Sequence, residues 1–147
     1  MKKYLVISTL LTALLGCVSA IARDDHKMYA LEDALQKPAT QGKLDPGVQL
    51  FFGDQKSPPI AKEHGEWSTN KKTNGFNKSD KEACEWVFLT AVLELQARAR
   101  KEGGNAIVNI KSNYKNIETS SEKEFMCGSG AVMSGVALKG KVVKLNN

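Results

Sequence analysis

Cysteine, histidine and one glycine–lysine run are the parts of this chain whose type and spacing could do chemistry. There are three cysteines, Cys17, Cys84 and Cys127, and two histidines, His26 and His64. Neither histidine sits at a zinc-like spacing from a cysteine, so no metal site and no cofactor is expected. Gly135-Val136-Ala137-Leu138-Lys139-Gly140-Lys141-Val142 has the outline of a phosphate-binding loop. It carries Val142 where a magnesium-holding Ser or Thr belongs, and it sits inside strand-like alternation, not between a strand and a helix. No G-x-S-x-G elbow occurs. The carboxylate pairs Asp24-Asp25 and Glu122/Glu124 read as solvated charges. No catalytic residue is assigned, and ATPase or other nucleotide-hydrolysing activity is not supported.

The compartment decides what the cysteines mean. Met1-Lys2-Lys3 is a basic start, Tyr4–Gly16 is apolar and uncharged, and Ala20-Ile21-Ala22 precedes the polar Arg23-Asp24-Asp25. That three-part pattern is an export signal over residues 1–22. The whole span from Tyr4 to Ala22 is 19 residues, near the ~20 a membrane-spanning helix needs. It is also interrupted by Ser8, Thr9, Thr12 and Ser19. Leu14-Leu15-Gly16-Cys17 offers a second reading, a lipobox in which Cys17 is acylated and the protein becomes an outer-membrane lipoprotein. Cleavage after Ala22 is favoured and gives a periplasmic protein, with membrane attachment only if Cys17 is lipidated.

Either cleavage leaves Cys84 and Cys127 as an even pair in an oxidising compartment, where two such cysteines usually join. The loop from 84 to 127 is worth roughly 3–4 kcal/mol in the chain-entropy model. Two buried reduced thiols are the alternative.

The 147 residues, 41% hydrophobic and 25% charged, describe an ordinary globular chain and exclude a disordered or polytopic one. The length holds one domain. The net charge is +5, and losing Lys2 and Lys3 with the leader reduces it to +3. The basic run Lys71-Lys72-Thr73-Asn74-Gly75-Phe76-Asn77-Lys78 could meet an anionic surface. It is read as a loop, and no nucleic acid is expected.

The elements that must position these residues make an α+β unit. Residues 23–47 form a short helix, with Met28, Leu31 and Leu35 on one face and Pro38 closing it, followed by a linker with a turn at Asp45-Pro46-Gly47. Residues 48–147 form the single main domain. Val48–Phe52 is a strand. Lys62–Lys78 is polar and turn-rich, an irregular stretch anchored by Trp67 and Phe76. Its Trp67, Lys71, Lys72, Asn74 and Phe76 make a candidate binding loop.

The spacing predicts a helix from Asp80 to about Lys101, capped by Ser79 with Glu82 three residues on and stopped by Gly103-Gly104. Cys84, Phe88, Ala91, Leu95 and Ala99 share one narrow face of it, which must lie on a sheet. Trp86, Leu89 and Leu93 form a second apolar patch, either covered by the N-terminal segment or open to a partner. Strands are expected at 106–110 and 124–127. Small and apolar residues then alternate over 131–145, and 114–121 is a turn or strand end. The sum is a small antiparallel or mixed sheet packed on one main helix, in β-α-β-β order, with one disulfide.

Three pieces carry a resemblance: Ala83-Cys84-Glu85-Trp86, Gly103-Gly104-Asn105-Ala106-Ile107-Val108-Asn109-Ile110, and Phe125-Met126-Cys127-Gly128-Ser129-Gly130-Ala131. Together with Asn70–Phe76 they resemble a family of small exported proteobacterial proteins often labelled "excinuclease ATPase subunit". No established activity comes with that resemblance. More distantly, Cys84 to Cys127 is similar to the core of the Rcs-pathway outer-membrane lipoprotein sensor, without that protein's second cysteine pair. The order of elements is similar to small heavy-metal-binding-like domains of the β-α-β-β type. These similarities imply a disulfide-stapled α+β domain over a small sheet.

The function expected from these observations is a periplasmic, non-enzymatic binding or sensor-like module for an envelope protein or small ligand. A small-molecule enzyme using the 62–78 stretch, and a homo-oligomer formed through Trp86, Leu89 and Leu93, are the alternatives. The processing is directly testable. Mature protein taken from the envelope is expected to begin at Arg23 with no added lipid. Intact-mass spectrometry reads this, and acyl mass on Cys17 would replace export in soluble form by anchoring.

Overall fold

The computed structural model describes residues 22–146. The leader and Cys17 therefore lie outside the described residues. The order is β1 (Asp25–Ala30), α1 (Leu31–Leu35), α2 (Pro38–Gln41), β2 (Gln49–Phe52), β3 (Ile60–Asn74), α3 (Asp80–Glu102), β4 (Ala106–Tyr114), β5 (Ile117–Thr119), β6 (Glu124–Ser129) and β7 (Met133–Leu145). This is an α+β chain, mostly sheet, with one main helix. The expected β-α-β-β order is not what forms, because residues read as helix and as irregular loop are the strands β1 and β3.

The long helix forms as its sequence dictates. Ser79 is extended at the N-cap, and its hydroxyl accepts the Glu82 N–H at 3.1 Å. Asp80 and Glu82 sit at the positive end of the helix dipole, and Arg100 and Lys101 at the negative end. Gly103 ends the helix at φ 81°, a left-handed conformation that glycine adopts without a Cβ clash. Cys84, Phe88, Ala91, Leu95 and Ala99 are all fully buried.

That stripe lies across the centre of a seven-stranded sheet. Here β7 is the hub. It pairs antiparallel with β3 along one edge, and with β4 and the end of β6 along the other. The strand β1 adds to β6 antiparallel, and β2 adds to β4 in parallel. Side chains from α3 meet Ile107, Ile110, Phe125, Val136, Leu138 and Val142 from beneath. Phe88 stacks on Phe125 with ring centroids 4.1 Å apart. Ile107 and Ile110 share this core although three apart, because the register slips between Val108 and Lys111, where Asn109 has φ 51°. Opposite the slip stands Gly140, where a Cβ would meet Ile107 Cγ2 at 2.7 Å. The phosphate-loop look-alike thus lies within β7, as packed strand.

Three expectations are corrected. The helix over 28–36 is shorter, since Met28, Tyr29 and Ala30 are strand residues opposite Met126, Phe125 and Glu124. Pro38 does not close that helix; it opens α2, where its missing N–H costs nothing. The irregular stretch over Lys62–Lys78 is mainly the 15-residue strand β3. Its alternation is hidden because the positions turned toward α3 hold Trp67, Thr69, Lys71 and Thr73, only one of them strongly apolar. The turn or strand end expected over 114–121 does form, as a tight β4–β5 hairpin with Lys115 and Asn116 both at positive φ.

Cys84 in the first turns of α3 is bonded to Cys127 of β6, with the Cα atoms 5.8 Å apart. The bridge joins the helix to the strand expected beneath it. Cys84→Ser should lower the stability of the oxidised protein by about 2–4 kcal/mol. A urea denaturation series with and without reductant measures it, and the variant should lose the wild type's sensitivity to reductant.

Candidate functional site

One groove combines apolar surface, a free aromatic and converging charge. It lies where Lys37, α2 and Lys43 run alongside the N-terminal half of α3, and encloses about 400 Å³. Its apolar lining comes from Ala39, Trp86 and Leu89, and its charged lining from Lys37, Lys43 and Lys78 with Glu82 and Glu85. Leu89 is buried at 4% exposure while Trp86 is 50% exposed. The Lys43 ammonium stands 4.4 Å from the Trp86 ring centroid.

The groove wall is held by an ionic chain. Glu85 is only 5% exposed, yet its carboxylate accepts from both Lys37 and Lys81. Lys81 also donates to Asp33 at 2.8 Å. Burial pushes the Glu85 carboxyl upward, but the bonds from Lys37 and Lys81 together outweigh it and hold it below the ordinary range. Hydrogen bonds from Asp33 and then Glu85 raise the Lys81 ammonium correspondingly. Glu85 is therefore an ionised, fully engaged wall residue, unlike a carboxyl poised to exchange a proton.

The strap beyond α2 is fixed as firmly. Buried Gln96 donates to the carbonyls of Asp45 and Val48 and accepts the Asp45 N–H. Arg100 grips the Asp45 carboxylate with two hydrogen bonds, at 2.6 and 2.7 Å. The Arg100 bond, then the Gly47 N–H, push Asp45 down to about 2.

The residues singled out in the sequence fare differently. Of the patch Trp86, Leu89 and Leu93, Leu89 is covered by the N-terminal segment, Leu93 is half-buried and Trp86 stays open. The face that meets the strap runs through Glu85, Leu89 and Gln96. Lys37, Lys43, Glu85 and Gln96 were missed in the sequence reading. The i, i+4 pair Lys81–Glu85, on the same turn as the apolar patch, was the available signal.

The residues of the candidate binding loop do not converge. Trp67 and Lys71 turn toward α3, where Arg98 lies 5.8 Å from the Trp67 ring and Lys71 pairs with Glu94. Lys72 and Asn74 alternate away from them along the strand. The Asn74 carboxamide accepts the Phe76 N–H at 2.7 Å, and Phe76 is 67% exposed beyond the strand end. A hollow of about 240 Å³ beside Trp67 is not lined by Phe76. His26 and His64 stand on separate strands, and among the described residues no three metal-ligating side chains converge.

A second groove, about 910 Å³, opens between α1 and β2. Leu31, Leu35, Leu50 and Phe52 line it, and Glu32, Glu122 and Glu124 edge it. Its rim has the opposite sign to the first.

Comparison of the chain with family models, curated protein sequences and solved structures gives no significant match.

Glu85 supplies a stability test. A carboxyl depressed in the folded state stabilises it above the ordinary value of 4.5, and that contribution is lost as pH falls through the lower folded value. Glu85→Gln should cost about 1–3 kcal/mol at neutral pH. The gap to wild type should shrink toward pH 3, as read by urea denaturation at the two pH values.

Proposed function

We propose that this protein is a non-enzymatic ligand-binding module of the bacterial envelope, with its site in the groove between α2 and the N-terminal half of α3. The observation that carries this reading is the half-exposed Trp86 over a largely apolar hollow of about 400 Å³, in the size range of small-molecule sites. An exposed indole beside an apolar hollow is what a binding surface requires, whereas folding alone would favour covering it. The ion pairs of Glu85 and the bonds of Gln96 hold the walls before any ligand arrives, which lowers the ordering cost of binding.

The envelope location rests on the leader pattern and on the Cys84–Cys127 bridge, which suits an oxidising compartment. The resemblance to small exported proteobacterial proteins supports the same placement. The phosphate-loop look-alike lends nothing to nucleotide hydrolysis, since its residues are committed to the ladder of β7 with β3 and β4.

The neutral apolar fluorophore N-phenyl-1-naphthylamine should bind the folded protein saturably at one site. Ala39→Gln, an exposed α2 position facing the groove, should weaken it at least tenfold without changing the circular dichroism spectrum. Equal binding by the variant would place the probe elsewhere and remove this groove as the site.

A further inference from the structure

Resting on the groove assigned above, we infer that its ligand is a free, single-chain amphiphile with an anionic head, of the fatty-carboxylate class. Three observations lead to it. The first is size: at ~30 Å³ per water-sized group, a volume of about 400 Å³ holds on the order of a dozen methylenes. That matches one hydrocarbon chain.

The second is the disposition of charge. Of the groove's lysines, Lys37 is committed to Glu85. Lys43 and Lys78 have no carboxylate partner among the described residues, and Lys43 is parked over the Trp86 ring at the mouth. Glu82 is the one lining carboxylate without an ion pair, so the free rim charge is positive. The Lys43 position is the telling one. An ammonium held over an indole presents its remaining donors to whatever enters, and an incoming carboxylate would find a cation already oriented beside the apolar floor.

The third observation is the contrast within the same molecule. The groove between α1 and β2 is also apolar-floored, but Glu32, Glu122 and Glu124 edge it without ion pairs, against Lys123 alone. An anionic amphiphile is repelled there and attracted at α3, so head-group sign separates the two grooves.

Isothermal titration calorimetry on the mature, disulfide-bonded protein tests this with three twelve-carbon probes below their micelle concentrations. These are dodecanoate, dodecyltrimethylammonium and neutral dodecyl maltoside. Dodecanoate should bind at one site at least tenfold more tightly than either other probe. Lys43→Gln with Lys78→Gln should abolish that preference, bringing dodecanoate to within twofold of the same variant's affinity for the maltoside. Equal affinity for all three heads would overturn the anionic assignment and leave the groove itself standing. Tighter binding of dodecyltrimethylammonium would overturn it in favour of the α1–β2 groove. No binding by any probe would overturn the ligand-binding reading as well. Co-sedimentation with phosphatidylglycerol vesicles without dodecanoate binding would replace the free ligand by a membrane surface.

Discussion

The structure depends on one burial event, the apolar stripe of α3 lying across β7. Phe88 stacks on Phe125, and Leu95 and Ala99 are sealed from water by the strands below. Each fully buried large side chain contributes on the order of 1.5–3 kcal/mol, so no other contact in so small a protein competes with that row. The disulfide fastens one end of the same contact. The strap from Lys37 to Val48 then crosses the other side of the helix, held by Glu85, Gln96 and Arg100. The groove exists because α3 is packed on two sides by layers of unequal width: a sheet beneath it, and a strap too narrow to cover Trp86.

This two-sided packing explains how the polar residues of α3 are used. Glu85 and Gln96 are buried, which is costly unless every group finds a partner. They serve where a narrow strap supplies few apolar contacts, and directional bonds set its position instead. Gln96 meets three backbone groups of one turn, a match that fixes the strap's register more closely than an apolar side chain would.

Legibility in the sequence followed how strongly each segment obeyed a single rule. The helix over Asp80–Glu102 announced itself through Ser79, the stripe and Gly103, and the pairing of Cys84 with Cys127 agreed with the face on which Cys84 falls. The strand β3 was illegible because it is bounded by helix on one face only, and Lys71 and Thr73 cover that helix with their stems where Val or Ile would have shown the period. Met28, Leu31 and Leu35 mimic a helical face across a strand–helix junction. Only the distant strand β6, where Met126 faces Met28, makes the first of them a strand residue. For the candidate site, Trp86 and Leu89 were visible as an apolar patch. The lysines and Glu85 were not, since their convergence comes from a chain reversal that no local pattern encodes.

The strand β3 has a further consequence. Among the described residues it pairs only with β7, leaving one long flank of backbone amides and carbonyls available to another chain. The register slips at Ile60/Lys62 and Glu63/Gly65 break the straightness of that flank, and Lys62, Glu63, Glu66, Lys71 and Lys72 would each have to be desolvated by an approaching strand. The polar character that hid this strand from its own sequence pattern thus makes it a poor template for amyloid-like stacking.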